Sequence, residues 1–445
     1  MDRILLVNPP ETEQLGFTNP PLGLLYLAGM LLEHGFDVRL VDGCMEGKEA
    51  VRKSIADFHP VIVGITCLTP GRKKALEIAD MVKAACPSAK VVLGGVHATI
   101  MHKQIMEHYP SVDCIVLGEG EHTLLELARG KTPAEIDGLV YRDGSGVVQL
   151  VRQRKPVENL DTLPFPAWNL IDVRKYPPHN DSRMRIVNGV NLDKEPRISV
   201  IFSRGCKGHC HFCSTWWIWR GWRRRSPRNM ADEIEMLYDK FGVRHFCFAD
   251  DALTYDRDAT IDLLDEIISR GLKIAFQATT RTDCVDEVVL AKMKTAGCYS
   301  IAYGIETASP TLLDKMGKDN DVESSERAIR LTNKAGISSV ALMIIGNVGE
   351  TDDTINESID FLKRAKPDVV ACAGSLWVLP GTVLYQRCMQ SGFIDDDFWL
   401  TDEPYKVYTQ EHSLEKLGRY HRKVMWRCHG LSNRVLHRLR KLFNA

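Results

Sequence analysis

Over roughly its first 130 residues the chain alternates short runs of aliphatic and β-branched residues with longer stretches whose apolar positions recur every three or four residues. The runs at 4–7, 38–41, 61–65, 90–93 and 114–117 read as strands, and the segments 22–34 and 72–85 carry helical spacing. Five strands with helices between them predict an α/β, doubly wound, Rossmann-like parallel sheet over residues 1–130. Ligands of such a sheet belong at the carboxyl ends of its strands.

The rhythm breaks over 131–197. A hairpin is expected at 139–150 around Asp143-Gly144, and the proline-rich 163–168 reads as an ordered linker. From 198 alternation resumes, with strands at 198–202, 245–249, 274–278, 300–304, 340–345 and 369–375 and helices such as 230–240 and 324–335. Six βα units over 198–385 predict a partial TIM-type (β/α)6 barrel with its active site where strands run into loops. The remainder, 386–445, is helical in pattern and is expected to cap the barrel. Its Arg-, Lys- and His-rich part, 419–441, reads as a solvated basic helix rather than a nucleic-acid patch.

Composition narrows the partners. A chain of 445 residues with 44% hydrophobic content supports two or three packed domains, and a net charge of -1 offers no global field for nucleic acid or an anionic membrane. A small-molecule or small-peptide substrate is the default. Thirteen cysteines, an odd number, with no secretory signal point to a reducing, cytoplasmic setting. The apolar stretch 21–32 contains two glycines and is too short to span a bilayer, so it reads as a buried helix.

The chemistry concentrates in Arg204-Gly-Cys-Lys-Gly-His-Cys-His-Phe-Cys213, directly after an apolar run. Cys206, Cys210 and Cys213 form a C-x3-C-x2-C triplet, able to hold three irons of a 4Fe-4S cluster and leave the fourth open. Structural zinc with His209 or His211 as fourth ligand is the alternative, although zinc cysteines normally come as two separated pairs. The triplet resembles the signature of the radical S-adenosylmethionine (SAM) superfamily. There the open iron is chelated by SAM, and an electron from the cluster releases a 5'-deoxyadenosyl radical.

In the first domain, small-residue loops end the third, fourth and fifth strands: Thr66-Cys67-Leu68, Gly94-Gly95-Val96-His97 and Gly118-Glu119-Gly120-Glu121. A hydroxyl can bond a ligand there, and glycines allow close backbone approach; tight turns of the scaffold are the plainer reading of any one of them. Together with Asn8-Pro9-Pro10 and Pro20-Pro-Leu-Gly23, they resemble the cobalamin-binding half of class B radical SAM enzymes. That resemblance covers nearly the whole chain. The first loop reads Asn8-Pro-Pro-Glu-Thr-Glu13 in place of the Asp-x-His-x-x-Gly motif of methionine synthase, which implies base-off cobalamin without a histidine below cobalt. His34 and His102 then read as ordinary surface or loop residues, while His97 is carried with its loop as a cobalamin contact.

The same resemblance implies SAM contacts along the barrel. Phe212 looks like the aromatic residue beside adenine, Asp250 and Asp251 stand where other subfamilies bind the SAM amino group, and Arg281 suits the carboxylate. Glu306, within Gly304-Ile-Glu-Thr307, falls near the ribose. Ile345 and Gly346, before Gly349-Glu350, look like the adenine platform, and Leu379-Pro-Gly-Thr382 matches a common element of the last strand. A scaffold salt bridge or turn is the alternative for each. The run Trp216-Trp-Ile-Trp-Arg-Gly-Trp-Arg-Arg-Arg225 could stack on a planar or anionic ligand or pack a domain interface, and a similar run follows the cysteines in the oxygen-independent cyclase of bacteriochlorophyll synthesis.

The implied activity is methyl transfer to an unactivated carbon, or a phosphinate phosphorus, of a small molecule. One SAM methylates reduced cobalamin, a second yields the radical, and electrons come from a flavodoxin or ferredoxin. A class B enzyme that transfers no methyl, such as an oxidative cyclase or ring-rearranging enzyme, is the nearest rival. A methylthiotransferase would need three further cluster cysteines, and Cys44, Cys67, Cys86 and Cys114 show no such grouping. A cobalamin sensor would leave the triplet unexplained.

Overall fold

A computed structural model describes residues 2–10, 19–180 and 182–428. Its first sheet has seven strands in the order β2-β1-β3-β4-β5-β6-β7, formed by β1 (Arg3–Asn8), β2 (Asp37–Asp42), β3 (Ile62–Thr66), β4 (Lys90–Gly94), β5 (Cys114–Val116), β6 (Leu139–Arg142) and β7 (Val148–Leu150). The first five are parallel, as expected from their apolar runs. Ile4, Leu5, Leu6 and Val7 are fully buried because helices cover both faces of the sheet. Register brings Asn8 level with Asp42, and Thr66 level with Gly94, so the small-residue loops leave the sheet along one edge.

The expected hairpin does not stand in a linker. Its strands β6 and β7 continue the first sheet antiparallel to β5, closing an edge that would otherwise expose unpaired backbone. Residues 163–168 are an ordered wedge. The Ala167 amide bonds the Leu25 carbonyl at 2.9 Å, and the buried Trp168 indole donates to Glu233 at 3.0 Å on the helix Pro227–Phe241. A side chain at Gly29 would collide with the Phe165 carbonyl at 2.4 Å, so this glycine lets linker and helix touch.

The second unit is an open sheet of six parallel strands in sequence order: Arg197–Val200, His245–Phe248, Ala275–Thr280, Cys298–Glu306, Ser338–Ile344 and Val369–Ala373. It matches the expected partial barrel with one local difference. The first strand ends at Val200, and Ser203–Arg204 then pairs antiparallel with Arg223–Arg224, clasping the base of the cysteine loop.

The tail is less helical than its pattern suggests. Val383–Gln390 and Leu414–Cys428 are helices, but 401–413 is largely non-helical. The reason is Arg72, fully buried, whose guanidinium donates to the carbonyls of Trp399 (2.8 Å), Thr401 (2.8 Å), Glu403 (2.6 Å), Pro404 (3.3 Å) and Thr69 (3.1 Å). One side chain thereby pins the tail to the first domain. Arg72→Ala should destabilise the protein by about 3 kcal/mol or more, since several buried acceptors lose their donor at once. Denaturant unfolding, with limited proteolysis mapped to 399–404, checks it. The helix Leu414–Cys428 does cap the barrel, with Leu417 against Gly346 at a would-be Cβ distance of 3.1 Å and the Tyr420 hydroxyl bonding Asp352 at 3.2 Å. Most of the basic stretch 419–441 lies outside the described residues. Among the described residues no helix is long and apolar enough to cross a membrane.

Candidate functional site

A cavity of about 490 Å³ opens at the carboxyl ends of β1, β3, β4 and β5. Of the residues expected to meet cobalamin, Asn8, Thr66, Leu68, Gly94, Gly95, Val96, Gly118, Glu119 and Gly120 line it. Gly95 lies at φ +94°, and a Cβ there would press on Cys67 backbone at 3.0 Å and on the Thr66 hydroxyl at 3.2 Å. A Cβ on Gly94 would meet nothing closer than 4.0 Å, leaving its backbone open to the cavity. These loops have the small, polar lining that suits close packing of a large ligand's tail.

Pro9, Cys67 and His97 are not on that lining. The Pro9 carbonyl takes the Cys44 thiol at 3.2 Å, and Cys67 is wholly buried. His97 turns away from the cavity, its Nδ1 3.3 Å from the Thr69 hydroxyl and its ring edge-on to Trp399. Burial, reinforced by the Arg72 charge, pulls its pKa down to about 3, so it packs as a neutral ring. Trp219, from the Trp/Arg run, lines the same cavity, whereas sequence reasoning missed Tyr26 and Leu27 from the helix Leu22–Glu33 and Ile201 and Arg204 from the second unit, which line it too. Their apolar or paired character carried no local signal of a site.

The cysteine loop is held from three sides. Gly205, at φ +93°, sits so close to Gly221 that a Cβ would lie 2.0 Å from its carbonyl oxygen. The His211 amide donates to the Met316 carbonyl at 2.8 Å, and its own carbonyl accepts from the Leu384 amide at 2.9 Å. Cys206, Cys210 and Cys213 are half-buried. Burial first, then the neighbouring sulfurs, raise the pKa of Cys210. Cys213 is raised mainly by burial, with nearby Asp251 and Cys206 adding to the effect. A Cβ on Gly208 would stand 3.5 Å from the Cys206 sulfur and 3.8 Å from that of Cys210, so this glycine keeps their shared face clear. Three sulfur donors around a cleared face fit a cluster with one open iron. The zinc alternative finds its histidines turned elsewhere: His211 gives Nδ1 to the Lys315 carbonyl at 2.8 Å and lays Nε2 against Gly317, 2.8 Å from its would-be Cβ, and His209 packs on Trp216. Among the described residues no three His, Cys, Asp or Glu side chains gather round a single ion.

The expected SAM residues divide. Asp250 is buried and faces inward, accepting from the Phe202 amide at 3.2 Å and from the Ser203 amide and hydroxyl at 2.5 Å each. It braces the backbone ahead of the cysteines, and burial pushes its pKa up to about 6. Asp251 is exposed, with the Thr215 hydroxyl 3.4 Å away. Arg281 grips Asp283 through two bonds of 2.8 Å and keeps Nη1 beside Gly208, 3.7 Å from its would-be Cβ. Glu306 has φ +63°, a left-handed conformation unusual outside glycine, and pairs with Lys318 at 3.2 Å; both charges act on Cys210. Phe212 packs on the core cluster that includes Leu384 and Trp399. Ile345 and Gly346 are covered: the Ile345 amide joins Ala373, and Gly346 lies under Leu417 with its amide given to the buried Glu350, whose pKa burial lifts to about 7.

The Trp/Arg run joins the two centres. Its helix Thr215–Trp219 places Trp219 on the cavity, while Trp222 meets Tyr255 edge-on at 5.9 Å beside the cysteines. Among the described residues the buried indole nitrogens of Trp216, Trp217 and Trp222 have no acceptor. Three of its arginines, Arg223, Arg224 and Arg225, stand in ion pairs. Arg204 donates to Glu119 at 2.8 Å and Glu121 at 2.7 Å, each of the three about 5–6% exposed, and Arg223 holds Glu119 at 2.9 Å. Arg204 also lies between the rings of Tyr26 and Trp219, 4.9 and 5.4 Å from their centroids. A buried network thus runs from the cavity loop 118–121 to the residue two before Cys206.

Comparison with known proteins agrees with both centres. Residues 12–128 match the family model described as the B12 binding domain, and residues 200–362 match that of the Radical SAM superfamily. The chain is 32% identical over 403 residues to a protein of Pyrococcus horikoshii named an uncharacterized methyltransferase, covering 88% of this chain and 84% of that one. It is 33% identical over 383 residues to the anaerobic magnesium-protoporphyrin IX monomethyl ester cyclase of Rubrivivax gelatinosus, spanning 82% of this chain and 66% of the cyclase. The fold is similar to that of TsrM, a radical S-adenosylmethionine methyltransferase of Kitasatospora setae solved with cobalamin and a 4Fe-4S cluster, with a TM-score of 0.71, 22% identity, and 88% and 75% of the two chains covered.

Proposed function

From the premise that this chain belongs to the cobalamin-dependent radical SAM enzymes, we propose that it is a methyltransferase that moves the SAM methyl group to an unactivated carbon of a small molecule. The observation that carries the reading is the continuity of the two centres, since Arg204 and Trp219 line the cavity and flank the cysteine loop on either side. Once bound, cobalamin supplies a methyl carrier, and the cluster with SAM supplies a hydrogen-abstracting radical.

The residues divide the work. Cys206, Cys210 and Cys213 would hold three irons as thiolates, and burial makes the Cys210 and Cys213 thiols harder to deprotonate until metal replaces the proton. Asn8, Thr66, Leu68, Gly94, Gly95, Val96, Gly118 and Gly120 receive the cobalamin tail, with Glu119 fixed in its ion pairs at the rim. Arg281 offers Nη1 and Asp251 a carboxylate toward SAM, while Asp250 and Gly346 support loops instead of touching it. The packed indoles and buried ion pairs that lie between the centres exclude water, which a primary radical requires. A flavodoxin or ferredoxin is the electron donor in this proposal.

Anaerobically reconstituted protein given cobalamin, reductant and methyl-labelled SAM should yield 5'-deoxyadenosine and label in the cobalamin fraction. Deoxyadenosine without any label on bound cobalamin would favour the cyclase type of chemistry that the 33% identity to the Rubrivivax protein keeps open. Failure to take up cobalamin would refute the cavity assignment.

A further inference from the structure

We propose that Tyr255 is a positioning residue that tunes the reduction potential of the cluster by donating a hydrogen bond to the Cys206 sulfur. The inference rests on reading Cys206 as a cluster ligand. The Tyr255 hydroxyl lies 3.6 Å from the Cys206 sulfur, and the Gly208 amide donates to the same sulfur at 3.4 Å. As a ligand the sulfur is a thiolate and carries no proton, so the phenol becomes the donor of the pair.

The chain on either side of Tyr255 is fixed. The Thr254 and Thr280 hydroxyls bond each other at 2.6 Å, and the Asp256 carboxylate caps the next helix through the Ala259 amide at 3.1 Å. The ring itself is flanked by Trp222 at 5.9 Å, with Lys207 Nζ 5.1 Å and Arg281 Cζ 5.9 Å from its centroid. Tyr255 therefore has little freedom to leave the sulfur. Reduction adds negative charge that the sulfurs share, and a fixed donor stabilises the reduced cluster more than the oxidised one. Tyr255 should accordingly make the cluster easier to reduce, and the two cations around its ring work in the same direction.

The test is an EPR-monitored redox titration of anaerobically reconstituted wild type and Tyr255→Phe, with iron and acid-labile sulfide measured on each. Full cluster content with a midpoint shifted to more negative potential is the expected result, and full content with an unchanged midpoint would overturn the proposal. Should the phenylalanine variant lose its cluster, a chain carrying 3-fluorotyrosine at position 255 decides. Its more acidic phenol is a stronger donor of nearly the same size, so the midpoint should move positive, and no movement would again overturn the proposal. Wild-type protein that takes up no iron would instead remove the cysteine assignment on which the inference stands.

Discussion

Cys210→Ala is expected to bring 5'-deoxyadenosine formation, iron and acid-labile sulfide down to background while cobalamin uptake stays at the wild-type level. Two remaining thiolates cannot hold three irons. Cys210 sits at the middle of the loop, where Lys318 and Glu306 both act on its sulfur, so its loss also leaves that ion pair without the group it faces. The cavity contains none of the three cysteines, which is why the two cofactors should separate in this variant. Cobalamin absorbance and metal analysis on the same sample check the prediction. Cys86→Ala, whose thiol faces the Ile55 carbonyl at 3.7 Å far along the first sheet, should keep both cofactors. Iron retained in full by Cys210→Ala would return the loop to a structural reading.

What could be read from the sequence was whatever local spacing determines. Apolar runs located the strands of both sheets to within a few residues, and the cysteine triplet needs only its own ten residues to declare its chemistry. The small-residue loops were legible as a set, since three successive strands end in them, and Gly95 needs its glycine, with a φ of +94° and no room for a side chain. Residues whose role depends on distant partners were not. Asp250 looks in sequence like a free carboxylate after a strand, yet the amides of Phe202 and Ser203 turn it inward, 48 and 47 residues away along the chain. His97 shares a loop with true lining residues, but Thr69, Arg72 and Trp399 draw its side chain to the opposite side. Helical periodicity in the tail was overridden by tertiary partners, with the carbonyls of 399–404 drawn to the buried Arg72 guanidinium and Lys406-Val407 paired with Trp377-Val378.

The Trp/Arg run had two readings, ligand stacking and interface packing, and its residues take different places in the structure. Trp219 faces the cavity, whereas Arg223 and Arg225 are buried in ion pairs with Glu119 and Glu233. The same arrangement makes Arg204 the residue through which the two domains are tied most directly. Its partners Glu119 and Glu121 belong to the loop that ends the fifth strand of the first sheet, while Arg204 itself leads into Cys206.

Arg204→Ala should therefore destabilise the protein by about 3–5 kcal/mol, because truncation leaves the buried Glu121 without its cation and Glu119 with Arg223 alone. The pH dependence gives the sharper test. In the intact protein burial would raise the Glu121 pKa, but the charge and hydrogen bond of Arg204 more than offset it and hold the carboxyl below its ordinary 4.5. A depressed carboxylate contributes stability that is fully present above 4.5 and is lost as pH falls through the lower folded value. Without Arg204 burial, the largest influence, is opposed only by a backbone hydrogen bond and the more weakly acting His122, and the folded pKa rises above 4.5, so the folded state binds the proton more tightly than the unfolded chain. Stability of the variant should then decline as pH rises from about 4.5 toward neutrality, and the gap to wild type should widen over that interval. Arg204→Lys should fall between the two, keeping the charge but losing the fork that reaches both carboxylates. Denaturant midpoints measured from pH 4 to 7 on the three proteins decide the matter. A gap that stays constant across that range would mean that the carboxylates, and with them the cavity loop, do not depend on Arg204.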